Sequence, residues 1–298
     1  METSPFLLLV GSIALDSIFT SHGNHENLLG GSTTYALISA GRFARTHVVG
    51  VVGTDFPPEG LAVYQQFSAD LTDLKTLPGN TFRWGGLYHL DQDERETLFT
   101  ELGVFADFQP ELSPVNRSPA VVFLANIHPE LQLAVLDQIE GDPLVIVDTM
   151  NLWISTTREA LDRVLKRTSI LLLNESEAHL LTDHFQPDDA AADLLTRGPK
   201  QVVIKLGSQG SVYYAGSEKI SMGVYPVKQV VDATGAGDSF GGGFAAALLQ
   251  GKSIRQAMAL GSSLASFTVE DFGITRLAQA ATPEIQERLT YLLKRDWG

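Results

Sequence analysis

The sequence predicts an α/β fold in which a mostly parallel central sheet lies between layers of helices. Short apolar runs recur along the 298 residues, and helix-like segments separate most of them. This alternation is typical of parallel sheets that are covered on both faces, because each parallel connection needs a crossover. The runs that we interpret as strands span residues 6–10, 48–52, 121–127, 144–147, 170–173 and 202–206.

Helices are expected between these runs and throughout the last part of the chain. Past Asp238 the sequence reads as helical, with Gly251 as a stop and Ser253 as a helix cap. Thr282 and Pro283 predict the start of a final helix, as its cap and its first position. The earlier helices are expected at residues 33–45, 131–139, 156–167 and 190–196.

One segment breaks the alternation of strands and helices. Residues 81–90 and 97–102 flank a charged stretch at 91–96, which predicts an antiparallel hairpin with a charged tip. We interpret the segment at about 81–102, together with parts of 12–30, as a small β lid inserted in a single domain that spans residues 1–298. The alternative is a hairpin packed on the core.

Composition excludes several classes of function. The chain carries 21 basic and 35 acidic residues, a formal net charge of −14, which opposes binding to nucleic acid or to anionic membranes. It has no cysteine, so disulfides, thiol nucleophiles and thiolate metal sites are excluded. No apolar run approaches the roughly 20 residues needed to span a bilayer, and no basic signal region is recognised. A cytoplasmic protein is expected.

The most informative stretch is residues 230–240, which runs into the small-residue tract 241–249. An apolar strand ends in Asp232, a glycine turn follows, and Asp238 lies where a helix begins. The first N–H groups of a helix and the positive end of its dipole then face the same point as a carboxylate. This arrangement can hold a phosphate beside a base. The alternative is an ordinary tight turn followed by a favourable charge.

Three other motifs can be tested against the same region and are rejected. Residues 237–241 fit the G-x-S-x-G nucleophile elbow, but the triad needs a later histidine and the last one is His184. A P-loop ending at residues 251–253 would need its first glycine at Ala246. Phe240 occupies the third glycine's place in a dinucleotide-binding G-x-G-x-x-G.

These residues resemble the ribokinase-like (PfkB) carbohydrate kinase family. The strongest match is the stretch 232–240 with its glycine-rich continuation, and five further pieces occur in the family's order along nearly the whole chain. The resemblance implies a ribokinase-like fold and transfer of the γ-phosphoryl group of ATP to a hydroxyl of a small molecule. The five pieces lie at residues 11–16, 30–31, 52–55, 174–177 and 205–210.

The resemblance also implies roles for individual residues. Asp238 would be the catalytic base, and the backbone N–H groups of Gly235, Ala236 and Gly237 would hold the charge on the transferred group. The residues implied for ATP are Asn174, Lys205, Gly207, Ser208, Gly210, Thr234 and Ser262. Those implied for the acceptor are Asp16, Gly30, Gly31, Ser32 and Asn151. Those implied for metals are Asn174 and Glu177, which would organise Mg²⁺ through water, and Asp232, a candidate for a monovalent cation such as K⁺.

Some of these positions have a plainer structural interpretation. Asn174 and Glu177 fit an ordinary helix capping box, and this could hold together with a metal role. Asp16 fits a turn-stabilising acid, and Asp232 a capping acid at a strand end. A homodimer through exposed lid edges is a further expectation, since edge strands can pair between subunits.

The acceptor is less well specified than the phosphate donor. The chain has no lysine at 32 and no asparagine at 35, where the ribose-specific branch of the family would have them. Trp153 stands where the family's D-x-N-x-R element has arginine, which disfavours a phosphorylated sugar. We expect an ATP-dependent kinase of a small sugar. The alternatives are an adenosine-like nucleoside kinase and a non-catalytic relative that binds a metabolite.

Overall fold

The computed structural model describes residues 4–88 and 95–297, which form two sheets with helices packed around the larger one. The first third of the chain supplies strands to both sheets. Its elements are β1 (Leu7–Val10), β2 (Ala14–Thr20), β3 (Gly23–Gly30), α1 (Ser32–Ala40), β4 (Thr46–Gly53), α2 (Pro58–Phe67), β5 (Asp70–Leu77), β6 (Phe82–Tyr88) and β7 (Arg95–Glu101).

The middle third alternates strands and helices. Its elements are β8 (Val121–Leu124), α3 (Pro129–Leu136), β9 (Leu144–Asp148), α4 (Asn151–Thr156), α5 (Arg158–Leu165), β10 (Ile170–Asn174), α6 (Glu175–Thr182), α7 (Pro187–Thr196) and β11 (Gln201–Lys205). The last third begins with two strands and ends in helices. These are β12 (Ser211–Ala215), β13 (Glu218–Met222), α8 (Ala236–Leu249), α9 (Ile254–Thr268), α10 (Thr275–Gln279) and α11 (Thr282–Lys294).

The larger sheet confirms the predicted α/β fold. Its nine strands lie in the order β13-β12-β11-β10-β9-β8-β1-β4-β5, and all neighbours from β11 to β5 are parallel. Six of the nine are the predicted strands. Both outer ends of the sheet come from strands that the apolar runs did not indicate: β5, which is polar at Asp70, Asp73 and Lys75, and the antiparallel pair β12 and β13.

Two buried clusters lie on opposite faces of the larger sheet. Alternate residues of one strand divide between them: Leu7 and Leu9 belong to the first cluster, and Leu8 and Val10 to the second. Helices α1, α8, α9 and α11 contribute to the first cluster, and α3, α5, α6 and α7 to the second. The sheet is therefore covered on both faces, which is why its strands read as continuous apolar runs.

The smaller sheet is the predicted β lid. It has four strands in the order β3-β2-β6-β7, and the antiparallel pairing of β6 with β7 confirms the predicted hairpin. Strand β2 joins the two hairpins, because it pairs with β3 in antiparallel and with β6 in parallel register. Most of the predicted charged tip lies in residues 89–94, outside the described residues. The division into one domain with an inserted lid stays a prediction.

Several predicted helix boundaries differ from the structure: α1 ends at Ala40 rather than at 45, α3 ends at Leu136 rather than at 139, and α7 begins at Pro187 rather than at 190. The helix expected at 156–167 is α5, and the short helix α4, which was not predicted, precedes it; Thr157 separates the two, since its φ of −135° and ψ of 39° are not helical. The last helix already includes Thr282, and the Glu284 carboxylate accepts the N–H of the preceding Ala281 at 2.9 Å. Ser253 is the predicted cap and forms a capping box with Gln256. Within residues 4–88 and 95–297, no helix is both long enough and apolar enough to cross a bilayer.

A buried histidine network supports the edge of the larger sheet opposite the strands' carboxyl ends. Arg45 Nε donates to His47 Nε2 at 3.2 Å, so the His47 proton is on Nδ1, which lies 2.7 Å from Asn116 Oδ1. Asn116 in turn donates to Asp73 Oδ2 at 2.7 Å. The Phe6 ring stacks on the imidazole at 4.0 Å. Burial, which disfavours the charged imidazole, lowers the pKa of His47 below its ordinary value.

The lowered pKa predicts a pH dependence of stability. Because the pKa of His47 is lowered in the folded state, the folded protein binds fewer protons at this residue than the unfolded chain does. The contribution of neutral His47 to the free energy of unfolding is therefore complete above the ordinary pKa of 6.5. It is lost as the pH falls through the lower pKa of the folded state. We expect the difference in free energy of unfolding between wild type and His47→Gln to shrink between pH 7.5 and 5.5 in urea titrations. The exposed His22→Gln is the control. A constant difference for His47→Gln would contradict the prediction.

Candidate active site

The N-terminus of α8 lies at the centre of the candidate site, and glycine is required there. Gly235 has φ 77°, and a Cβ at this position would overlap the ring of Tyr35. Gly237 follows in the first turn, where a Cβ would lie 3.1 Å from Lys205 Nζ. The backbone at the start of the helix thus packs against the Tyr35 ring at Gly235 and lies close to the Lys205 ammonium group at Gly237.

Two cavities meet at this helix terminus. The first, which we call the acidic cavity, has a volume of about 320 Å³ and is lined by Asn126, Asp148, Thr149, Met150, Asn151, Asn174, Ser176, Glu177, Lys205, Ala233, Thr234, Gly235, Gly237 and Asp238. The second, the apolar cavity, has a volume of about 560 Å³, and its walls include Val224, Tyr225, Val227, Val230, Phe240, Val269, Gly207, Ser208, Gly210 and Ser262. Both cavities share Lys205, Ala233 and Gly237.

The acidic cavity brings three carboxylates around one ammonium group. Lys205 Nζ donates to Asp148 Oδ2 at 2.8 Å, and Glu177 and Asp238 line the same space. Burial by itself would lower the pKa of Lys205, but the charges of Asp148, Glu177 and Asp238 outweigh it, and the pKa is raised above its ordinary value. Lys205 is therefore a permanent cation at the junction of the two cavities.

Asn174 and Glu177 form the capping box of α6. Asn174 Oδ1 accepts the Glu177 N–H, and Glu177 Oε2 accepts the Asn174 N–H, both at 2.8 Å. The structural interpretation of this pair is thereby confirmed. Both side chains also line the acidic cavity, so the cap fixes two oxygen-bearing side chains at its wall.

Asp232 holds the loop that leads into α8. The carboxylate is fully buried and accepts the N–H groups of Thr234 at 2.8 Å and Gly273 at 3.3 Å. Burial raises the pKa of Asp232 above its ordinary value, against the effect of these hydrogen bonds. Thr234 itself lines the acidic cavity. The apolar strand predicted to end at Asp232 is not formed, because residues 223–233 lie outside any strand or helix; Asp232 instead fixes a loop through its two backbone partners.

The predicted donors of the helix terminus divide between the two cavities. Gly235 lines the acidic cavity, Ala236 the apolar one and Gly237 both. The Ala236 N–H donates to Ala233 O at 3.3 Å, a long hydrogen bond within the turn. The two glycines are thus the residues whose backbone borders the same space as Asp238.

The residues predicted for the acceptor form a cluster beside the acidic cavity. The Gly31 N–H donates to Asp16 Oδ2 at 3.3 Å, and a Cβ at Gly30 would overlap the Asp16 carboxylate. Ser32 Oγ accepts the Ser12 N–H at 3.1 Å. Asp16 and Ser32 are almost fully buried, and neither they nor the two glycines are among the residues that line the acidic cavity. The fifth predicted residue, Asn151, lines it.

The sequence places Asp148 at the carboxyl end of a strand but assigns it no role, and it does not indicate Asn126 as a site residue. The Ser32 hydroxyl donates to the Asn126 carbonyl oxygen at 3.2 Å, and Asn126 Oδ1 accepts the Trp153 indole N–H at 2.8 Å. Asn126 thereby links the acceptor cluster to the wall of the acidic cavity. Asn126 lies two residues after the end of β8, so its polar side chain near the carboxyl end of a strand was a usable signal.

The apolar cavity gathers the residues predicted to lie near the nucleotide base. Gly207, Ser208 and Gly210 come from the turn after β11, and Ser262 comes from α9. A buried arginine supports the far wall: Arg288 Nη1 donates to Ser266 Oγ at 2.8 Å and its guanidinium lies 4.8 Å from the centre of the Tyr225 ring. Hydrophobic walls with a few polar groups are typical of sites for flat organic ligands.

Comparison with known proteins identifies the family. The model of the "pfkB family carbohydrate kinase" matches residues 128–281, which include the turn after β11, α8 and all the residues that line the acidic cavity except Asn126. A cytidine kinase of Thermococcus kodakarensis is 31% identical over 274 residues, 90% of this chain and 97% of that protein. This chain belongs to the pfkB family of carbohydrate kinases.

Two further relatives of this pfkB-family chain agree in length and fold. A nucleoside kinase of Methanocaldococcus jannaschii is 29% identical, over 89% of this chain and 90% of that protein. The structure of a putative ribokinase II of E. coli, in complex with ATP and Mg²⁺, superposes with a TM-score of 0.80 at 19% identity and covers 96% of this chain and 99% of that one. The ribokinase-like fold predicted from the sequence is confirmed.

The environment of Gly235 predicts a large cost for a side chain there. Gly235→Ala would add both the strain of a left-handed alanine, about 1–2 kcal/mol, and an overlap with Tyr35 that costs about 1–3 kcal/mol more. Gly251→Ala is the matched control, because Gly251 has φ 71° but no heavy atom within 4 Å of the added Cβ. Urea titration should show the larger loss in free energy of unfolding for Gly235→Ala. Equal losses would contradict the assigned packing.

Proposed function

We propose that this pfkB-family kinase transfers the γ-phosphoryl group of ATP to a hydroxyl of a small sugar, with a nucleoside as the second candidate acceptor. The observation that carries the proposal is the convergence of Asp238, the N-terminus of α8 and the Lys205 ammonium at the junction of two cavities. A carboxylate beside cationic and backbone donors is what phosphoryl transfer requires, since its catalysis is mostly positioning and charge stabilisation.

The two cavities suggest how ATP would lie. The apolar cavity suits the base, and the triphosphate would pass Lys205 and Gly237, which border both cavities, toward the acidic one. Glycine at 237 permits the phosphates to approach the helix backbone closely. The predicted ATP residues Gly207, Ser208, Gly210 and Ser262 would surround the base and sugar, and Thr234 and Asn174 the phosphates.

The charges of the acidic cavity fit a requirement for Mg²⁺. Three carboxylates and one ammonium group leave this space anionic, so a triphosphate needs an added cation. Among the described residues, no group of three or more His, Cys, Asp or Glu side chains is placed to hold an ion alone. This suits an ion held chiefly by water and phosphates, with Asn174 and Glu177 organising the water. When bound, Mg²⁺ neutralises charge on the phosphates.

The proposed chemistry assigns one step to each group. Asp238 accepts the proton of the acceptor hydroxyl as that oxygen forms a bond to the γ-phosphorus, and the bond to the β,γ-bridging oxygen breaks to release ADP. Lys205 and the N–H groups of Gly235 and Gly237 stabilise the charge on the transferred group. The lid sheet would cover the acceptor and exclude water, which limits hydrolysis of ATP.

The relatives of this chain include kinases named for each of the two candidate acceptors, a nucleoside and a sugar. They include a cytidine kinase and a nucleoside kinase at 31% and 29% identity, and a ribokinase of Bacillus subtilis at 26% identity over 95% of this chain. Asn126 and Asn151 line the acidic cavity, and their amide groups suit either a sugar hydroxyl or a nucleobase edge. A non-catalytic relative is disfavoured, because Asp238 and the glycine turn are intact.

The role of Asp238 predicts a large loss of turnover in Asp238→Asn. Removal of a general base typically costs about 10²–10⁴-fold, and the amide keeps the size of the side chain, so ATP binding should change little. Steady-state kinetics and calorimetric titration with ATP measure the two effects. Asp189→Asn, an exposed acid in the first turn of α7, is the matched control. Equal turnover in Asp238→Asn and wild type would refute the assignment.

The acceptor cluster predicts a selective effect of Asp16→Asn. An ionised carboxylate can accept two hydroxyl hydrogen bonds, and loss of a charged partner should raise the KM for the acceptor about tenfold or more. The KM for ATP should stay within about twofold, since Asp16 lines neither of the two cavities. ADP release is first measured with a panel of free sugars and nucleosides, which identifies the acceptor. Glu26→Gln, on the exposed face of β3, is the control; a rise in the KM for ATP alone would contradict the placement of Asp16.

Three finer expectations stay predictions. A monovalent cation at Asp232 is supported by the buried carboxylate at the entrance to α8. A homodimer through the lid is supported by its edge strands β3 and β7 and by the exposed Leu98 and Phe99 on β7. A cytoplasmic location is supported by the absence of cysteine from the sequence.

A further inference from the structure

We propose that Asp148 is a positioning residue for Lys205, and that it holds the ammonium group at the junction of the acidic and apolar cavities and away from Asp238. The inference rests on the proposed function, in which Lys205 binds phosphate and Asp238 is the base. It concerns a residue that neither the glycine turn nor the acceptor cluster includes.

The Asp148 carboxylate is fixed by its surroundings. Its side chain is 4% exposed, Oδ1 accepts the Thr149 N–H at 2.9 Å, and Oδ2 accepts from Lys205 Nζ at 2.8 Å. The backbone carbonyl of Asp148 accepts from the Gln132 side chain at 3.2 Å. Both carboxylate oxygens and the main chain are thus engaged at the end of β9, so the position of the acid is set before any ligand binds.

The Asp148–Lys205 ion pair connects two strands that are not neighbours in the sheet. Asp148 ends β9 and Lys205 ends β11, and β10 lies between them, with Leu172 opposite Asp148 and Asn174 opposite Lys205. The lysine side chain therefore extends sideways over the end of β10 rather than outward along its own strand. This direction places Nζ 3.1 Å from the position of a Cβ on Gly237, next to the first turn of α8.

Lys205 has two other acids within electrostatic reach, Glu177 and Asp238. One oxygen of Glu177 is already engaged with the Asn174 N–H in the capping box. Without Asp148, the ammonium would be drawn toward these two remaining acids, of which Glu177 acts on it more strongly than Asp238. A cation that moved to Asp238 would occupy the carboxylate that must receive the hydroxyl proton. A close ion pair at the base would also withdraw the cation from the phosphates.

A double-mutant cycle tests whether Asp148 acts through Lys205. The variants are Asp148→Asn, Lys205→Met and both together, and the measured quantities are kcat, the KM for ATP and the KM for the acceptor. We expect Asp148→Asn to lower kcat/KM for ATP by about tenfold or more when Lys205 is present, and by less than about twofold in the Lys205→Met background. The KM for the acceptor should stay unchanged in Asp148→Asn.

Several outcomes would overturn the inference. An equal loss in both backgrounds would mean that Asp148 acts alone, as a ligand of the metal or of the acceptor. A loss confined to the KM for the acceptor would place it in the acceptor site. The matched control is Asp188→Asn, which breaks the exposed pair of Asp188 and Lys219, 2.6 Å apart, by the same substitution and should leave all three constants unchanged.

The failure of this inference can be told from failure of the proposed function. If wild type releases no ADP with any sugar or nucleoside, the proposed function fails; if it turns over and the cycle is additive, only the role of Asp148 fails. Should Asp148→Asn not fold, Asp148→Glu is used, since it keeps the charge but displaces the ammonium. The same dependence on Lys205 is expected for it, and additivity would again overturn the inference.

Discussion

Close packing around α8 is the constraint on which the site depends. A Cβ at Gly242 would overlap the carbonyl oxygen of Ala36 in α1, and one at Gly241 would overlap the Phe123 ring of β8. Together with the contact of Gly235 with Tyr35, these close contacts fix both the position of α8 along its axis and its rotation about that axis. Packing in the core therefore places the first turn of α8 at the carboxyl end of the sheet. The backbone N–H groups of that turn are fixed in position before a ligand binds.

Electrostatics imposes a second constraint on the same rim. The chain as a whole is acidic, and the acidic cavity itself carries more carboxylates than cations. Attraction of a polyanion must then come from short-range features: the N–H groups of the helix terminus, its dipole, Lys205 and an added metal ion. The placement of one lysine matters more here than it would in a basic cleft, because no surplus of positive charge can compensate for a displaced ammonium group.

The sequence predicts the parts of this structure that depend on local chemistry. The buried parallel strands appear as apolar runs, and the glycine turn before Asp238 appears as a motif, because both are set by neighbouring residues. Strand β5 was missed because its edge position allows Asp70, Asp73 and Lys75. The Asp148–Lys205 pair was missed for another reason: its members are 57 residues apart and meet only when β10 lies between their strands. No local pattern encodes that distance.

The two halves of the site come from different stretches of the chain. The residues proposed for the phosphate donor lie mostly between Asn174 and Ser262, whereas those for the acceptor lie at 16–32 and near Asn151. Asn126 connects the two stretches of the acceptor half, since it contacts both Ser32 and Trp153. Substitutions on the lid side can therefore change the acceptor while the helix terminus and Lys205 stay in place. This separation explains why the phosphate-donor site can be predicted from one sequence and the identity of the acceptor cannot. Binding of the donor depends on backbone geometry, whereas binding of the acceptor depends on side chains that can vary without disturbing the fold.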